Sequence, residues 1–280
     1  MKDQRAPFRR TVLFLTAAAC FFAVLLFFCE SRAVTVPKTE RGIAALTEKK
    51  ALSEEDYRLL LEETGLGRET VDLLRSRPGG DAALLSEQKR FHQRPDFDCR
   101  PLTGVTMMET VLRSEDALVF YDLRPGDVLL TFSTHTLFYR HGHCAIVLDD
   151  ETIAEAVAIG RPVAVTKAAK WGFYPTVLQL RLSEEAAADA GMTPAKAGAA
   201  AAERAETEFL GDRYSLFAGG FGRGEETDET QCAHLIAACY AGIGVTVSSR
   251  TFPATPMSLL KSGAFDIVQC RGVGPDLLRR

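Results

Sequence analysis

Between Tyr121 and Leu182 the chain is a succession of short apolar runs separated by turn residues, and this pattern constrains the fold more than any other feature. "YDLRPGDVLLTF" turns at Pro125-Gly126 and then runs apolar, the signature of a loop entering a strand. "GHCAIVLDDETIAEAV" predicts a strand, a turn at Asp149-Asp150 and a second strand around Ile153 to Val157. "RPVAVT" and "TVLQLRL" add two more, flanking a loop that holds the only tryptophan, Trp171. After Leu182 the character changes. "SEEAAADAGMTPAKAGAAAAERAETEFLGD" is rich in alanine, a strong helix former, with Thr193-Pro194 as cap and first-turn proline. "QCAHLIAACYAGIG" predicts a helix ended by Gly242 and Gly244, "FPATPMSLLKSGAF" a short helix and "DIVQC" a last strand. Strands first and helices afterwards predict an α+β domain, a short antiparallel sheet or barrel packed on helices.

Upstream of this body, "LTEKKALSEEDYRLLLEETGLGRETVDLLRS" reads as a helical hairpin. Ser53 is its expected N-cap, Glu54, Glu55 and Asp56 favour the positive end of a helix, and Gly65 with Gly67 stop it. "RPGGDAA" reads as a break, and the polar stretch "KRFHQRPDFDC" leads into the body. The expected division is residues 1–33 as a membrane anchor or signal segment, 34–90 as the hairpin or stalk, and 91–280 as the body. The hairpin over residues 46–76 is read as a stalk or packing element, with a lid or a docking module as alternatives.

The N-terminus sets the expected location. Lys2, Arg5, Arg9 and Arg10 precede an uncharged run from Thr11 to Cys29. That length approaches the ~20 residues a helix needs to cross a bilayer core of ~30 Å, and exceeds the roughly 7–15 residues of a signal-peptide core. Residues 11–29 are therefore expected to be a transmembrane anchor with the basic cluster inside and the body extracytoplasmic. "ESRAV" offers the alternative of cleavage after Ala33 and secretion. A formal net charge of −4 argues against a nucleic-acid partner. Outside the apolar run stand Cys99, Cys144, Cys232, Cys239 and Cys270, an odd number that leaves at least one thiol unpaired within the chain. Their spacing resembles no zinc site, and no metal or organic cofactor is expected.

Chemistry is expected at three positions. Cys232 lies within the first turn of its helix, capped by Asp228 or Thr230, where backbone N–H groups and the helix dipole favour the thiolate. His143 is the candidate base; in an alternating strand it shares a face with His141 and Ala145, opposite Cys144 and Ile146. Glu155 in "IAEAV" is the candidate to orient the imidazole. Cys239 is expected to be core. Gln231, beside Cys232, carries an amide that can face an oxyanion, and His135 and His141 flank a loop, "STHTLFYRHGH", expected to line or gate the cleft.

Taken in order, "GDVLL", the His-bearing "GHCAIV", "IAEAV", "GDRY" and the Cys-bearing helix ending in "AGIG" resemble the NlpC-type papain-like cysteine hydrolases in their circularly permuted form. The resemblance runs from about Tyr121 to Val268. It implies a permuted papain-like fold with Cys232 as nucleophile, His143 as base and Glu155 as third polar residue. It also implies that Tyr214 lines the cleft and that the Cys232 N–H serves the oxyanion. Where the family often has serine after the cysteine, this chain has Ala233. The reaction implied is amide hydrolysis through a thioester. Cell-wall peptides are the leading substrate, and an acyl-amide lipid is the alternative, through a likeness to lecithin retinol acyltransferases. A non-catalytic binding module on the same fold is the third expectation.

Overall fold

The computed structural model describes residues 5–31, 33–136, 139–216, 218–219, 228–248 and 253–278. Lys2 of the basic cluster, Arg32 of the expected cleavage site, and Leu137 and Phe138 of the expected loop lie outside the described residues. The first elements are helical: α1 (Arg5–Ser31), α2 (Ala44–Thr47), α3 (Glu54–Thr64), α4 (Arg68–Arg75) and α5 (Gly80–Phe91). Then come β1 (Phe97–Pro101), β2 (Thr106–Val111), β3 (Val128–Thr131), β4 (Thr134–Thr136), β5 (His143–Val147), β6 (Thr152–Glu155), β7 (Ala164–Lys167) and β8 (Val177–Leu182). The remainder is α6 (Glu184–Ala188), α7 (Pro194–Arg204), β9 (Arg213–Tyr214), β10 (Glu229–Thr230), α8 (Cys232–Ala241), α9 (Pro256–Leu260), β11 (Phe265–Arg271) and α10 (Pro275–Leu278).

The architecture is α+β. A six-stranded sheet in the order β11-β8-β3-β5-β6-β7 is antiparallel throughout. Both of its faces are covered. Val128, Leu130, Cys144, Ile146, Leu178 and Leu180 point to one side, where they meet Leu235, Ile236, Cys239 and Tyr240 of α8 and Ala197 and Ala201 of α7. The alternate positions Leu129, Ala145, Val147 and Ile153 face a second cluster around Trp171. This two-sided burial is why the strands read as continuous apolar runs rather than as an alternation. A three-stranded sheet, β1-β2-β4, stands beside the main one.

The membrane expectation is corrected. Residues 5–31 are helical, but among the described residues no helix is long and apolar enough to cross a membrane. Anchoring through residues 11–29, and the extracytoplasmic placement derived from it, are therefore not supported.

The helical hairpin forms with its expected cap. The Ser53 hydroxyl accepts the Asp56 N–H at 3.2 Å, and the Asp56 carboxylate accepts the Ser53 N–H at 2.9 Å. Gly65 ends α3 in the left-handed region at φ 70°. The hairpin is a packing element. Ile43, Leu60, Leu66, Val71, Leu74 and Leu84 make their own buried cluster, and the Gly67 N–H and Thr70 hydroxyl both donate to the Val268 carbonyl on β11. "RPGG" is less of a break than expected, because Gly79 turns at φ 78° and starts α5 immediately.

Under α7 lies a buried ion network. Arg181 on β8 donates to both oxygens of Asp127, at 2.9 and 2.8 Å, and also meets Glu69 of α4 and Asp122. Breaking one partner of such a pair strands a charge in a dry site. Asp127→Ala is therefore expected to lower the unfolding free energy by about 3 kcal/mol in urea titration; a loss below about 1 kcal/mol, the scale of an exposed pair, would contradict this role.

Candidate active site

Two strands and one helix converge on the candidate residues. Gly142, at φ 78°, turns the chain into β5, so that His143 is the first strand residue. A Cβ on Gly142 would stand 2.7 Å from the Thr131 carbonyl, so the turn needs glycine sterically as well as conformationally. The β5–β6 register pairs Ile146 with Ala154 and Val147 with Ile153. Continued by one step, it sets Glu155 opposite Ala145, on the face His143 shares and one diagonal away from it. The His143 Nε2 and Glu155 Oε2 atoms are 3.0 Å apart.

Glu155 is not surface. It is 1% exposed, and its other oxygen, Oε1, accepts from the Thr166 hydroxyl at 2.7 Å and from Lys170. Burial alone would favour the neutral acid. The bond from His143, with Lys170 adding to it, outweighs burial and holds the carboxyl down at about 2. Trp171 is fully buried and stacks on the His143 ring with centroids 5.3 Å apart and planes 25° apart. The imidazole is thus fixed at one edge by a carboxylate and on one face by an indole.

The thiol arrives from the other side of β5. Gln231, rather than Asp228 or Thr230, is the N-cap of α8: its Oε1 accepts the Ala233 N–H at 3.0 Å. Cys232 is consequently the first helical residue, and its N–H has no partner within the helix. α8 packs on β5 and places the Cys232 sulfur, in a residue 6% exposed, 3.5 Å from the Gln231 Oε1 that its thiol meets and where Cys144 and His143 act on its charge. Since Glu155 occupies Nε2, Nδ1 is the ring nitrogen left for the sulfur.

The charges follow from these contacts. Hydrogen bonds from Cys144, through its thiol and its backbone N–H, together with the His143 imidazolium, overcome burial and hold the Cys232 thiol well below the ordinary range. Burial opposes a charge on His143, but the bonds with Cys232 and Glu155 prevail and raise it to about 9. A thiolate–imidazolium pair is the form these directions favour. The other thiols go the opposite way: burial pushes Cys239 up to about 12 and raises Cys144 and Cys270 as well. Among the described residues no cysteine is in a disulfide.

The remaining candidates are distributed around this centre. Tyr214 is brought next to the helix start because β9 and β10 pair in parallel, with Tyr214 opposite Thr230; burial raises its phenol. Gln231 is committed to capping, and its Nε2 donates to the Ala254 carbonyl at 2.7 Å. His141 sits one turn ahead of His143, its Nε2 3.1 Å from the Thr136 hydroxyl and its Nδ1 2.8 Å from the Gly142 carbonyl, and burial lowers its affinity for a proton. His135 lies away from the site, 3.4 Å from the Cys99 sulfur on the small sheet. Among the described residues no cluster of three or more potential metal ligands occurs.

Sequence reasoning missed Cys144, Thr166, Lys170 and Trp171. The alternation that put Cys144 opposite His143 was the available signal, since that is the face the Cys-bearing helix covers. Lys170 and Trp171 sit in a 3-10 turn, Ala168–Phe173, whose contacts no local pattern encodes. A cavity of about 540 Å³ is lined by Glu155 and Lys170 but not by Cys232 or His143; the chemistry is assigned to the thiol, which is where the perturbed charges converge. Comparison with known proteins gives no match: no family model, curated protein or solved structure is similar enough to this chain to be paired with it.

The sign of the pH dependence is fixed by these shifts. A depressed thiol remains thiolate above its folded value and is lost as pH falls through it. Iodoacetamide is expected to alkylate Cys232 with a pH midpoint below the free-cysteine value of about 8.5. In His143→Ala burial acts with one less opposing cation, and the midpoint should move up. An ordinary midpoint that ignores His143→Ala would contradict the pairing.

Proposed function

We propose that this chain is a cysteine hydrolase that opens an amide bond through Cys232, His143 and Glu155. The observation that carries the reading is a carboxylate 1% exposed bonded to a stacked imidazole, beside a helix N-terminus whose thiol that imidazole makes more acidic. A structural histidine has no need of a buried carboxylate held by two further donors, and a structural thiol has no need of an imidazolium.

The steps balance as an acyl transfer. The Cys232 thiolate adds to the amide carbonyl carbon, and the oxyanion is met by the Cys232 N–H, which has no partner within its helix. The C–N bond then breaks as His143, protonated at Nδ1, gives its proton to the departing amine. A thioester remains. Neutral His143 takes a proton from water, the hydroxide equivalent adds to the thioester carbon, and the C–S bond breaks to return the thiolate and a carboxylic acid. Glu155 keeps Nε2 occupied throughout, fixing the tautomer and stabilising the imidazolium. Lys170 and Thr166 position Glu155.

The substrate class rests on the resemblance to permuted NlpC-type hydrolases, which favours a cell-wall peptide and leaves an acyl-amide lipid second. The test incubates the full chain separately with muropeptides and with N-acyl amide lipids, with Cys232→Ala as blank. Release of amine from one of the two, absent in the blank and lowered about 10³-fold in His143→Ala, is expected. The rate should decline as pH passes about 9, where the imidazolium needed by the leaving amine is lost. Turnover that survives Cys232→Ala would sink the mechanism, and binding without turnover would establish a binding module instead.

A further inference from the structure

The cavity of about 540 Å³ lies on the far side of Glu155 from His143, between the β6–β7 edge, the Ala168–Phe173 turn and the β1–β2 hairpin. Its volume falls in the range of small-molecule sites, roughly 300–1,000 Å³. Met108, Val157, Phe173 and Tyr174 give it apolar walls. Two cations stand at it. Lys170 is engaged by Glu155, whereas Arg161 has no acidic partner among the described residues. An apolar wall beside a guanidinium that has no acidic partner among the described residues suits a ligand with an apolar body and one anionic end. The planar fork of arginine suits a carboxylate best, because two N–H groups can meet its two oxygens. The scissile amide does not belong here, because neither Cys232 nor His143 lines the space.

We propose that this cavity binds a small amphiphilic carboxylate, its body against Met108, Val157, Phe173 and Tyr174 and its head on Arg161. The site is separate from the thiol and touches the catalytic line only through Glu155 and Lys170. Bound carboxylate and Glu155 therefore share Lys170 as a neighbour. This occupancy does not depend on Cys232 being a nucleophile.

Isothermal titration of octanoate into the full chain tests it, with octanol and acetate as probes lacking the charge and the body respectively. Saturable binding of one octanoate per chain is expected, with octanol and acetate each weaker by about tenfold, and Arg161→Ala weakening octanoate about fivefold, the scale of one lost charge-assisted contact at a partly exposed site. Ala164→Trp, from an exposed strand position at the cavity wall, should weaken binding as well. Cys232→Ala should bind octanoate like the parent, so failure of the hydrolase reading and failure of this one are distinguishable. Absence of saturation, octanol binding equal to octanoate, or unchanged affinity in both Arg161→Ala and Ala164→Trp would overturn the assignment.

Discussion

A carboxylate that is 1% exposed is the constraint on which the rest of the candidate site depends. Taking Glu155 out of water costs several kcal/mol unless charged and hydrogen-bonding partners replace the solvent. Three donors do so, His143, Thr166 and Lys170. They come from three segments, β5, β7 and the turn after β7, so the charge is satisfied only when all three are folded together. The strand register makes this possible. A slip of one residue in the β5–β6 pair would send Glu155 to the opposite face and leave both His143 and Lys170 without their anion.

From that fixed imidazole the chemistry of the thiol follows. Cys232 and Cys239 lie two turns apart on one helix, in the same apolar cluster, and differ in what faces them. Cys239 meets core and is held protonated by burial. Cys232 has Cys144, through its thiol and N–H, and His143 as partners, and they hold its thiol well below the ordinary range. Helix position contributes too, since the first residue of α8 has an unpaired N–H and stands at the positive end of the dipole. The same sulfur two turns later would have neither.

The sequence made the strand-then-helix order legible because each strand is a compact apolar run bounded by turn residues, and β3, β5, β6, β7, β8 and β11 all fall where those runs do. The pairing of His143 with Glu155 was legible for a related reason: a hairpin of known turn position sets which residues share a face. The hairpin β1–β2 was not legible, because Cys99, Arg100 and Pro101 are exposed and carry no apolar alternation. α5 was hidden by the glycines that start it. Lys170 and Trp171 reach the site through tertiary packing of an irregular turn, which leaves no periodic trace. The N-terminal apolar run reads by length as a membrane span, whereas among the described residues no helix is long and apolar enough to cross a membrane.

The most direct test of the account is the protonation state of His143, read from the ¹⁵N shifts of its ring in labelled protein across pH. The account predicts both ring nitrogens protonated at pH 7.5, titrating near 9, with that midpoint falling when Cys232→Ala removes the thiolate partner. A neutral His143 ring at pH 7.5, unaffected by Cys232→Ala, would contradict the thiolate–imidazolium pair and with it the catalytic assignment of the site.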